Sequence, residues 1–196
     1  MKKLVGLLLV VFMLGFCSNA LAMDLAGKFG LSGKGEIGMP MGDLADGVNT
    51  GFGFGASGEY FINDQLAVGA YFDYDIFGTD AEGLSAHIMG LGGFFKYVVP
   101  TTSNVSPYLK ASAGFYQPKF SGDGESMTFD MKFGFGVGGG VMFKASENVL
   151  VGGEIMFHDA LVKDAEADID GGTAKLLYDW QYIQFNFGVT FLLGSQ

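Results

Sequence analysis

Residues 181–193, QYIQFNFGVTFLL, alternate almost without a break. Ile183, Phe185, Phe187, Val189, Phe191 and Leu193 interleave with Tyr182, Gln184, Asn186, Gly188 and Thr190, and only Leu192 departs from the rule. Successive side chains of a strand point to opposite faces, so the pattern predicts a strand with one apolar face. It recurs eight times, which predicts strands over about 27–39, 50–62, 66–78, 85–99, 107–120, 127–144, 148–160 and 177–193. In the first, Phe29, Leu31, Ile37 and Met39 oppose Lys28, Ser32, Lys34 and Glu36. In the sixth, Phe129, Met131, Phe133, Phe135, Val137, Val141 and Phe143 oppose a face made largely of glycine. No stretch after residue 22 sustains a 3.6-residue period, so helix is not expected.

The connections alternate as well. Short ones follow the second, fourth and sixth strands, at 63–65, 101–106 and 145–148. Longer ones follow the odd strands, at 40–49, 79–84, 121–126 and 161–176. This rhythm describes an up-and-down barrel with both termini at the short-turn end. A soluble barrel would turn its apolar face inward, but much of the other face is glycine, which offers water no solubilising side chain. Large aromatics in every strand also exceed what a narrow interior holds. The apolar face therefore belongs outside, in lipid, and the expected fold is all-β: an eight-stranded antiparallel transmembrane β-barrel.

The first 22 residues are of another kind. Lys2 and Lys3 precede the apolar run LVGLLLVVFMLGF, and Ala20 and Ala22 form a small-x-small cleavage site, so 1–22 reads as a signal peptide and 23–196 as the barrel domain. Thirteen apolar residues are too few for a spanning anchor, and Phe16 is too bulky for a lipoprotein site at Cys17. Cys17 is the only cysteine, so the processed chain has neither disulfide nor thiolate chemistry. It carries 9 Lys, no Arg and 21 Asp plus Glu, a formal charge of −12 that argues against nucleic acid as a partner.

The charges divide between two places. On the inward face the alternation sets Lys28, Lys34, Lys96, Lys110, Lys132 and Lys144 against Glu36, Glu59, Asp73, Asp75, Asp130 and Glu154, a neutral set for a filled lumen. Tyr71 and Tyr116 add bulk there, and Glu154 should find a Lys partner. On the opposite face Phe133 is expected near mid-membrane. The long loops hold Asp43, Asp46, Asp80, Glu82, Asp123, Glu125, Asp159, Asp164, Glu166, Asp168, Asp170 and Asp179 against Lys119, Lys163 and Lys175, a net −9. Divalent cations should gather diffusely at such a rim, above all at Asp164, Glu166, Asp168 and Asp170. The run EADIDG (166–171) opens like a calcium loop, yet position twelve is Leu177 and not the bidentate Glu that the geometry requires. No ordered metal site and no cofactor are expected.

Catalytic candidates are few. Ser85 and His87 share the lipid side at a strand end and could form a lipid hydrolase only with an orienting group from a neighbouring strand. His158 falls inward and reads as a lumen hydrogen-bonder. GFGFG (51–55) and VGGGV (137–141) lie inside strands with no helix after them, so they read as curvature glycines and not as phosphate loops.

With this pattern the chain resembles the small eight-stranded outer-membrane β-barrel proteins of Gram-negative bacteria, the OmpA/OmpX-like group often labelled porin family. Its sharpest element, NFGVTFLL (Asn186–Leu193), resembles that family's barrel-assembly signal, although the family commonly ends in Phe where this chain continues to GSQ. The resemblance implies a cell-envelope protein of the outer membrane, with periplasmic termini and extracellular loops. Its expected partners are outer-membrane lipid, lipopolysaccharide and the barrel-assembly machinery, and it is expected to be a monomer. The expected role is structural or surface-interacting, with no enzymatic activity. The alternatives are a narrow small-solute channel and a lipid-modifying enzyme.

Overall fold

A computed structural model describes residues 24–101, 103–122, 125–169 and 172–194. Eight long antiparallel strands form the wall: β1 (Phe29–Met41), β2 (Val48–Phe61), β3 (Leu66–Thr79), β4 (Leu84–Val98), β5 (Val105–Gly122), β7 (Lys132–Ser146), β8 (Val149–Ala160) and β11 (Trp180–Leu193). Each pairs with its neighbours in the chain order of the wall, and β1 closes on β11 from Phe29↔Leu193 to Met41↔Gln181. Closure leaves no open edge in the wall, the condition for placing strands in hydrocarbon. The barrel is the expected one, and most strand ends fall within three residues of their predicted positions.

The two ends differ. At the turn end, residues 62–65, the described part of the connection between Val98 and Val105, and residues 147–148 connect the strands. Leu25 is tied there too, its backbone N–H donating to Asp64 Oδ1 at 2.9 Å. At the loop end sit a short 3-10 turn (Gly42–Asp46), the small strand β6 (Glu125–Thr128) folded back on the tip of β5, and a hairpin of β9 (Glu166–Ile169) and β10 (Gly172–Lys175).

Here the sixth predicted strand needs correction. Residues 125–128 pair with 119–122 as a hairpin, the chain leaves the sheet at 129–131, and the wall resumes at Lys132. The break shifts the parity, so Phe129 is buried at the loop end against Phe120 instead of facing lipid. Phe133, expected near mid-membrane, is only the second residue of β7.

The outward face is apolar around the whole circumference, with Phe52 68% and Phe187 65% exposed. Inward-facing glycines on β2 and β7 make the lumen possible. A Cβ at Gly53 would run into the Asp75 carboxylate, and one at Gly134 into the Tyr116 ring. These strands are bare on the inside because side chains of their neighbours lie across them.

Candidate functional site

The lumen is stacked in layers. At the turn end, Leu25, Phe61, Ala67, Val98, Met142, Leu150 and Leu192 form a buried apolar cluster. Leu192, the exception in the alternation, is an inward residue of this seal. At the loop end a second cluster joins Leu44, Val48, Phe77, Ile88 and Trp180 from the wall and first loop to Val162, Ala165 and Leu176 around the β9–β10 hairpin. The polar groups lie between these two seals.

Three lysines organise them. Lys34 Nζ lies 2.7 Å from Glu36 Oε1 and 3.0 Å from Asp73 Oδ1. Lys96 pairs with Glu59 at 2.5 Å and rests over the Tyr108 ring. Lys110 meets Glu154 Oε1 at 3.2 Å, so Glu154 has the expected Lys partner; it also accepts from Tyr108 Oη and Asn186 Nδ2, each at 3.0 Å. Toward the loop end, Tyr71 and Tyr116 share a hydrogen bond of 3.1 Å and Tyr116 reaches His158 Nδ1 at 3.0 Å. His158 stacks on Tyr182 with ring centroids 4.9 Å apart. A polar cavity of about 70 Å³ beside Lys34, Lys96, Lys110 and Glu154 has room for a few waters. Around Tyr71, Asp73 and His158 no such room remains.

The structure brings together most of the twelve expected lumen charges, but not all. Lys34, Lys96, Lys110, Glu36, Glu59, Asp73, Asp75 and Glu154 form the interior set, and Lys28 is buried at the turn end, 3.8 Å from Asp24. Asp130 is exposed, because it falls in the segment that leaves the sheet. Lys132 and Lys144 are half-buried near the two ends of β7, and among the described residues no carboxylate lies within ion-pair reach of either. The interior set is therefore three ammoniums against five carboxylates, not a neutral set. The surplus sits at Glu36, Asp73 and Asp75, where Glu36 Oε2 and Asp75 Oδ1 are buried without a hydrogen-bond partner and Gln184 Nε2 donates to Asp75 Oδ2 at 3.0 Å.

The acidic hairpin is engaged internally. Glu166 and Asp168 alternate on β9 opposite Lys175 and Thr173, and Lys175 Nζ lies 2.5 Å from Glu166. The hydrogen bond and charge of Lys175 hold the Glu166 carboxyl below its ordinary range, so the pair persists above that range and is lost as pH falls through the lowered value. Asp164 takes a left-handed backbone, φ 59°; Asp170 and Asp123, like the signal segment 1–22, lie outside the described residues. Among the described residues no three acidic or histidine side chains converge as a metal site would require.

On the outer wall near the loop end, Ser85 Oγ is 2.9 Å from His87 Nε2 and 3.1 Å from the Ser121 carbonyl, and Tyr74 Oη is 3.0 Å from His87 Nδ1. With the Ser85 proton on the Ser121 carbonyl, His87 Nε2–H donates to Ser85 and Tyr74 donates to Nδ1; with that proton on His87 Nε2, the chain runs the other way and Nδ1–H donates to Tyr74.

Residues 8–191 match the family described as outer membrane protein beta-barrel domain. The chain belongs to that family. No curated protein matches this outer-membrane barrel, but solved structures do. Neisserial surface protein A is 19% identical with a TM-score of 0.64, the match covering 84% of this chain and 98% of that one. OprG from Pseudomonas aeruginosa is 14% identical with a TM-score of 0.58, covering 90% and 100%. Ail, the attachment invasion locus protein of Yersinia pestis, is 17% identical with a TM-score of 0.54, covering 86% and 99%. At these identities the likeness is one of fold.

Proposed function

We propose that this outer-membrane barrel is a closed wall element with a structural or surface-interacting role, neither a solute channel nor an enzyme. The observation that carries the reading is the lumen: an ion-paired layer enclosed between two apolar seals. Eight strands enclose a space that side chains can just fill. The short turns and the tied Leu25 favour termini in the periplasm and loops outside the cell. The outward face of Asn186–Leu193 is what the assembly machinery would read, and the barrel acts as a monomer. The second ring nitrogen of His87 meets the Tyr74 hydroxyl and not an orienting carboxylate, which supports a non-catalytic pair.

Planar-bilayer recording tests the reading: the wild type should add no steady single-channel step, and a large, stable conductance would overturn it. Orientation has its own test, because a chain processed after residue 22 has no cysteine. Lys163→Cys should react with an impermeant maleimide on intact cells, and lack of reaction there with reaction after lysis would reverse the topology.

The rim suggests what the surface does not hold. Ten described loop carboxylates stand against Lys119, Lys163 and Lys175. Ail has been crystallised in complex with the heparin analogue sucrose octasulfate. A polyanion of that kind would be repelled by this rim, so sucrose octasulfate should leave the melting temperature of this protein unchanged.

A further inference from the structure

Lys119 occupies an unusual place. It is the only lysine on the outward face of the wall among the described residues, near the tip of β5, directly across from His87 on β4. No carboxylate among the described residues lies within ion-pair distance of it. His87 is held in place by hydrogen bonds to Tyr74 and Ser85. Four residues below Lys119 on the same face the wall becomes wholly apolar, with Phe115 paired to Leu91 and edge-on to Phe133. That drop is about 13 Å along the strand. A cation with no ion-pair partner among the described residues, set above an apolar column, has the polarity profile of a single phospholipid.

We propose that Lys119, beside His87, binds the phosphate of a lipid in the leaflet at the loop end, with the acyl chains of that lipid lying along Leu91, Phe115 and Phe133. The site rests on the reading of the apolar face as lipid-facing, and it is independent of whether the lumen conducts. A lone ammonium at a membrane surface favours an anionic headgroup by about fivefold.

The test uses the full detergent-solubilised barrel with equal mole fractions of dimyristoyl phosphatidic acid and dimyristoyl phosphatidylcholine, and native mass spectrometry to count retained lipid. Each variant is first shown to be closed by its altered gel migration when unheated; a barrel that never closes fails the fold reading, not this site. Wild type should retain phosphatidic acid about fivefold over phosphatidylcholine. Lys119→Gln should bring the ratio near one, Lys119→Arg should restore it, and Lys175→Gln, in the exposed hairpin, should leave it at the wild-type value. An unchanged ratio in Lys119→Gln would overturn the proposal. So would displacement of the lipid by millimolar inorganic phosphate, which would mark a soluble-anion site. Release of fatty acid from the bound lipid that stops in Ser85→Ala would overturn it in favour of catalysis.

Discussion

Glu154→Ala should lower the unfolding free energy by about 3–5 kcal/mol. One carboxylate holds three partners in the lumen: the Lys110 ammonium, the Tyr108 hydroxyl and the Asn186 amide. Truncation leaves all three between the apolar seals, where the small cavity beside Glu154 holds only a few waters in place of the lost acceptor, and the unpaired ammonium is the largest cost. The double variant Glu154→Leu/Lys110→Met removes both charges in similar volume and should recover most of the loss. Denaturant unfolding in micelles, followed by the single tryptophan, Trp180, which is buried at the loop end, measures both. Equal stability of Glu154→Ala and wild type would show that the site is wet enough to screen the charge.

The second large effect is expected on the opposite face. Phe187 lies at the middle of β11 and projects outward, so Phe187→Lys places an ammonium at mid-membrane depth and should cost about 2–4 kcal/mol. The same change at Phe133, near the loop end of β7, should cost about 0–1 kcal/mol. The contrast between the two, measured by reversible unfolding in lipid vesicles, tests depth as well as facing. Equal costs would mean that the wall sits in the bilayer at another height.

Alternation made the wall legible because each strand turns one side to lipid over most of its length, and hydrocarbon tolerates few exceptions. The same rule identified Lys34, Lys96, Lys110 and Glu154 as inward. It failed at Asp130 and Phe129, where the chain leaves the sheet: a period of two carries no information once the pleat is gone. The loop-end seal was illegible for a related reason. Val162, Ala165 and Leu176 have no periodic pattern, and only their return over the mouth shows that they are core. Charge neutrality of the lumen was a count over positions, whereas the surplus at Glu36, Asp73 and Asp75 depends on which strands adjoin. Leu192 did carry a usable signal: an apolar residue at an inward position near a strand end marks a seal.

The filling of the barrel is rooted in the wall itself. Glu36, Glu59, Asp73 and Glu154 each hang from a strand hydrogen-bonded on both sides, and within the described lumen no separate segment is threaded through it like a cork. Opening this layer would take more than lifting the β9–β10 hairpin from the mouth: several ion pairs would have to break together inside an intact cylinder. The polar layer is thus tied to the assembly of the wall, and no single segment carries it.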